Sequence, residues 1–196
     1  MMPERGGRGE RASPGRSRAS LERGTPSGDP RGMDQDAFWE LIAEAREHAV
    51  EPAGQAAWLA RALERRGADA IEGFHFVFAR LMARAYRWDL WGVASLAHGG
   101  HGDEEAFMGF RGWLVSLGRE AFEAALEDPD SLAPHVRKDI DGTPMAYVAR
   151  DAYEKVTGSE LPTPTLDLFA EPIGEPVLQS DLSTRFPRVA KALGVE

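Results

Sequence analysis

The sequence predicts an all-α fold, a compact multi-helix domain with a disordered N-terminal leader and an extended C-terminal segment. Three observations carry that expectation. From Asp36 onward the apolar residues recur at spacings of three and four, the period of a helix face, rather than two. Gly, Pro and Asp stand at the ends of the patterned runs, where helix caps and stops belong. Thirteen of the 17 aromatic residues, with all five Trp, fall between Phe38 and Phe122. The core is therefore expected in that stretch, with the C-terminal third packed around it.

Each element follows in order. Phe38, Leu41, Ile42, Ala45 and Ala49 make the first stripe, with Asp34 or Asp36 as its cap. Pro52 suits a first helical turn, and Trp58, Leu59, Ala62 and Leu63 follow it until Gly67. A cap at Asp69 opens a third helix through Ile71, Phe74, Phe78, Leu81, Met82 and Ala85. Its segment Phe74–Phe78 also alternates like a strand, but the continuation through Arg84 favours helix. A short helix from Trp88 to Ala97 stops at Gly99-Gly100. Asp103 starts the next, with Phe107, Phe110, Trp113, Leu114 and Leu117 on one face, and Gly118 bends or splits it before Arg119–Leu126. Asp128-Pro129-Asp130-Ser131 reads as a turn, with Asp130 or Ser131 capping a brief helix. Pro144–Val156 is the last long helix, closed by Gly158. Leu161–Pro164 is extended because a proline keeps its predecessor out of the helical region. A small helix is expected near Val189–Leu193.

Composition and charge divide the chain into a leader (1–32), a helical core domain (33–158) and a C-terminal extension (159–196) packing on it. The leader is rich in Arg, Gly, Ser and Pro, too poor in apolar surface to offset the entropy of ordering. Met33 stands just before the first patterned segment and is the expected start of translation. The leader's seven Arg against four acids make it +3; the whole chain is −9, so residues 33–196 carry −9 − 3 = −12. So acidic a body disfavours duplex nucleic acid and suits a basic protein partner or a solvated surface. There is no Cys, no run of about 18 apolar residues and no apolar signal segment. Disulfides, thiolate metal sites and cysteine nucleophiles are excluded, no membrane segment or cofactor is expected, and the cytoplasm is the expected location.

Three places hold residue types that can do chemistry. The loop His98-Gly99-Gly100-His101-Gly102-Asp103-Glu104-Glu105 offers imidazoles and carboxylates, so His98, His101 and Asp103 are candidate metal ligands. Its plainer account is a glycine-rich connection in which Asp103 caps a helix and the two Glu favour its dipole. Tyr86–Gly92 sets Trp88 and Trp91 beside Arg87 and Asp89, as in a ligand pocket or a rim salt bridge. Phe110–Leu114 and Gly118-Arg119-Glu120 set Arg111 and Arg119 eight residues apart, on one face only if no break intervenes. Otherwise each Arg pairs with an acid, Asp89 and Asp103 being the obvious choices. No nucleophile elbow, phosphate loop, dinucleotide fingerprint or His-Glu-x-x-His is present.

Met33–Ile42, Tyr86–Gly92, Gly99-Gly100 with Asp103, Phe110–Leu114, Gly118–Glu120, Asp128–Leu132 and Tyr153–Gly158 occur in this order. Together they resemble an uncharacterised bacterial family, the domain of unknown function 4240. The resemblance implies a compact helical domain and assigns no activity, ligand or catalytic residue.

Two functional classes follow from the residues. The first is a non-enzymatic binding module, immunity-like or regulatory, that turns its acidic surface to a basic protein. The second is a small-ligand-binding protein or enzyme whose pocket gathers Trp88, Asp89, Trp91, Asp103, Arg111, Trp113 and Arg119. A third, single-stranded RNA binding, would rest on the Arg-Gly residues of the leader.

Overall fold

The computed structural model describes residues 33–100, 102–163 and 171–195, and the leader lies outside them. The fold is all-α. Its helices are α1 (Gln35–His48), α2 (Pro52–Arg66), α3 (Ala68–Arg84), α4 (Trp88–Ala97), α5 (Glu104–Ser116), α6 (Arg119–Glu127), α7 (Thr143–Thr157), α8 (Leu182–Arg185) and α9 (Pro187–Leu193), with short 3-10 turns at Pro129–Leu132 and Gln179–Asp181. None of the described helices is long and apolar enough to cross a membrane.

Local chemistry accounts for the boundaries. Asp34 caps α1 by accepting the Ala37 amide at 2.8 Å. Gly67 ends α2 and opens α3 at once, so the third helix begins before Asp69, which stands in its first turn instead of capping it. The Phe74–Phe78 segment is helical, with Phe74, Val77 and Phe78 buried on one side. Gly118 splits the helix that precedes it: its φ of +91° is left-handed territory where a side chain would strain the backbone. α5 therefore ends at Ser116 and α6 starts afresh at Arg119.

α7 is the helix around which the others gather, packing on α2, α3 and α5. The largest fully buried side chains, Trp113, Phe38 and Phe74 among them, lie within Phe38–Phe122, where the aromatic count places the core. Aromatic rings mark volume, but the hub of a helical packing needs side chains short enough to admit neighbours from several directions. α7 meets that need with Met145, Val148, Ala149 and Ala152 on its buried face. Among the described glycines, the one at its start leaves the least room for a side chain. A Cβ added to Gly142 would lie 2.0 Å from the Trp113 amide nitrogen and 2.5 Å from the Gly109 carbonyl oxygen. One added to Gly112 would lie 2.6 Å from the Gly142 carbonyl oxygen. Helix α5 thus meets the head of α7 backbone to backbone, through glycines on both sides.

The turn Asp128–Leu132 has a long-range role that its sequence did not disclose. Asp128 caps the 3-10 turn by accepting the Asp130 amide at 3.1 Å. Asp130, only 7% exposed, turns away to the N-terminus of α9. There it accepts the Val189 amide at 2.8 Å, the Arg188 amide at 3.1 Å and Arg188 Nε at 3.0 Å. Arg188 also donates to Asp128. Burial alone would raise the Asp130 pKa, yet the bonds from Val189 and Arg188 outweigh it and hold the carboxyl below its usual range. The acidic turn clamps the C-terminal helix onto the core.

Gly142→Ala forces a methyl group into backbone that cannot yield. We expect it to destabilise the fold by about 3 kcal/mol, at the upper end of ordinary overpacking. Urea denaturation measures this, and a loss below about 0.5 kcal/mol would show that α5 and α7 can separate without cost.

Candidate functional site

The seven residues grouped by sequence do not meet in one pocket. Asp89 is consumed by its neighbour: Arg87 donates to it through Nε at 2.9 Å and Nη2 at 2.6 Å, and the Leu90 amide donates at 2.8 Å. That pairing raises the Arg87 pKa. Trp88 and Trp91 stack at 5.3 Å and line a hollow of about 180 Å³ with Gly92, Ser95, Gly100 and Gln179. Trp91 Nε1 donates to the Gly102 carbonyl at 3.0 Å. Asp103 caps α5 through the Ala106 amide at 2.8 Å. Trp113 is 2% exposed and packs on Phe110 in the core. Arg119 pairs with Asp36 at the surface. The acids expected for the two Arg are therefore both taken, because a local amide or a neighbour two residues away reaches each first.

Two of the metal candidates, His98 and Asp103, are likewise engaged. His98 sets Nδ1 at 2.8 Å from the Ala94 carbonyl and Nε2 at 3.1 Å from that of Ile140, so both ring nitrogens face oxygens that need protons. His101 lies outside the described residues, and among those described no three His, Asp or Glu side chains gather to hold an ion.

Arg111 is different. On α5 the residues Glu104, Phe107, Met108 and Arg111 follow one another at helical spacing and share a face. That face opposes the end of α3 and Tyr86, two residues beyond it. There the Arg111 guanidinium lies 4.6 Å from the Tyr86 ring centroid and 4.9 Å from that of Phe107, over a pair of rings that stack on each other at 5.9 Å. Its Nη1 donates to the Met82 carbonyl at 3.1 Å. That carbonyl belongs to the last turn of α3, where the helix has no amide left to satisfy it. Nη2 stands 3.6 Å from Glu104 Oε1, beyond hydrogen-bond reach, and Nε is buried with no partner. A guanidinium carries five N–H donors; among the described residues this one makes a single hydrogen bond while its side chain is 12% exposed. Desolvation accordingly lowers its pKa, against the opposing pull of Glu104 and Tyr86.

This under-satisfied cation lines a half-open cavity of about 360 Å³. Phe78, Ala79, Met82, Met108 and Ala146 give it apolar walls, while Tyr86, Glu104, Glu171 and His75 supply the polar atoms. The sequence reading named Arg111 but tied it to Arg119, eight residues on. The signal that would have found the site is the spacing from Glu104 to Arg111, read together with Tyr86.

A buried charge with so few partners is expensive, whereas an apolar side chain of the same length fits such a place at little cost. Arg111→Met is thus expected to leave stability within about 1 kcal/mol of the parent, the recovered desolvation offsetting the lost bond to Met82. Thermal or urea denaturation decides it. A loss of about 3–5 kcal/mol, the usual consequence of breaking a well-made buried ion pair, would make Arg111 a structural strut.

No curated protein and no solved structure matches the chain. Residues 33–155, which hold Arg111, Tyr86, Glu104 and most of the cavity wall, match the family described as "Protein of unknown function (DUF4240)". The chain is a member of the DUF4240 family.

Proposed function

We propose that this domain binds a small organic anion with an apolar body in the cavity lined by Arg111. One observation carries the reading: a guanidinium with unmet donors, lying over the stacked rings of Tyr86 and Phe107, at the wall of a mostly apolar hollow. A cavity of that volume falls in the range of small-molecule sites, which pair apolar walls with a few placed polar groups. An entering anion brings the charge and acceptors that Arg111 lacks, and its body covers the Met82 and Met108 side chains, which are flexible enough to mould to varied shapes.

The test is a thermal-shift titration of the full chain with three probes of equal tail length: octanoate, octyl phosphate and octylammonium. An anion at 100 times its Kd stabilises a two-state fold by about 2.7 kcal/mol. Stabilisation by at least one anion but not by octylammonium, and its loss in Arg111→Met, is the expected result. Equal response to all three probes, or to none, would refute the reading.

A second reading, docking to a basic protein, is favoured by the −12 charge of residues 33–196 and by an open hollow lined by Asp103, Glu105, Asp139 and Asp141. Such a partner is held by exposed charges, which salt screens beyond about 8 Å at physiological ionic strength. Immobilised protein should then retain a cationic protein at low salt and release it as salt rises. Retention insensitive to salt would count against this reading.

A further inference from the structure

Building on the anion site proposed above, we infer that the head group of its ligand is a single carboxylate and that Glu104 holds that head group's place when the cavity is empty. The Glu104 carboxylate spans two donors from different elements. Tyr86, just beyond α3, donates its hydroxyl to Oε2 at 3.3 Å, and Arg111 on α5 directs Nη2 at Oε1 from 3.6 Å. Two oxygens, two donors: the gap between Tyr86 and Arg111 is shaped to a carboxylate.

Glu104 fills that gap loosely. Both separations exceed the 2.7–2.9 Å of a well-formed charge-assisted bond. Its side chain is 61% exposed, and it springs from the first turn of α5, where the helix dipole favours a negative charge whether or not the side chain bends inward. Tyr86 remains a donor throughout, since desolvation first and then the Glu104 charge raise its pKa. A ligand carboxylate arriving from the cavity side reaches the same two donors in a drier setting, where such bonds are stronger, and Glu104 swings out to water. Position within the lining also limits the head group's charge. Arg111 offsets one negative charge, whereas a dianion would set its second charge in the same cavity as Glu171.

Isothermal titration of octanoate and octyl phosphate into the parent chain, Glu104→Gln and Tyr86→Phe tests this. Asp103, the cap of α5, is untouched in both variants. Glu104→Gln removes the competing charge and should bind octanoate about fivefold tighter, on the scale of a part-exposed ion pair. Tyr86→Phe should bind it about fivefold to tenfold more weakly, one hydrogen bond being lost. The parent should prefer octanoate to octyl phosphate. Octanoate binding that Glu104→Gln leaves unchanged or weakens would overturn the placeholder role while leaving the anion site intact. A preference for octyl phosphate would overturn the carboxylate assignment. Failure of both probes on the parent and on Glu104→Gln alike would instead refute the anion site itself.

Discussion

The backbone contact between α5 and the head of α7 is the constraint on which the rest of the molecule depends. Gly109 and Gly112 present one face of α5 without side chains, and Gly142 answers with none. Ordinary helix pairs stand 8–10 Å apart because side chains fill the gap. Here that filler is absent, so α5 is drawn against the helix that α2 and α3 also share. Two consequences follow. Phe107, Phe110 and Trp113 are driven into the core, all at 2% exposure or less. Ala146, one turn into α7, comes to line the same cavity as Met108 and Arg111. A bulkier contact would move the α7 wall away from Arg111 and open the hollow to water. The packing of the fold and the shape of the site are one geometric fact.

Against that tight packing, Arg111 stands out as a largely buried charge with few partners among the described residues. Burying a charge costs several kcal/mol unless partners compensate, and a surface Arg on the same helix would cost nothing comparable. Part of the cost is returned by the Tyr86 and Phe107 faces and by the Met82 carbonyl at the end of α3. What remains is an unpartnered Nε and a long approach to Glu104. Two other arginines are better served: Arg84 makes two bonds to Glu123 and Arg87 two to Asp89. The contrast is what separates a site from a rim salt bridge.

Periodicity made most of the fold legible. The Trp88–Ala97 helix, the choice of helix over strand at Phe74–Phe78 and the break at Gly118 all follow from spacing and glycine chemistry, which are local properties of the chain. The site was legible only in part. Arg111 was visible as an unusual residue, but its partners are Met82 in α3, Tyr86 two residues beyond that helix, and Glu104 at the far end of its own helix. No window of one helix contains that convergence. Pairing failed for a related reason: Asp89 and Asp103 were counted as free acids, when an adjacent guanidinium and a helix amide had already claimed them. Local hydrogen bonds form at little entropic cost, so they pre-empt distant ones.

Long-range hydrogen bonds, in contrast, explain how residues beyond 155 come to wall the cavity. Asp130 holds α9 through three bonds, and α8 and α9 lie on α4. Upstream of them the chain is tied back to the core at Ile173, whose amide donates to the Tyr86 carbonyl at 2.8 Å and whose carbonyl accepts the Trp88 amide at 3.0 Å. Those two bonds straddle Arg87, directly after the tyrosine that faces Arg111. The segment from Ile173 to α9 is therefore fastened at both ends, and the first fastening sets Glu171 and Ile173 at the cavity. Because Ile173 itself is 56% exposed, burial alone does not hold it there; the backbone bridge does. A wall held by two hydrogen bonds, beside walls held by interlocked helices, is the part of this cavity that can yield to an incoming ligand without disturbing the core.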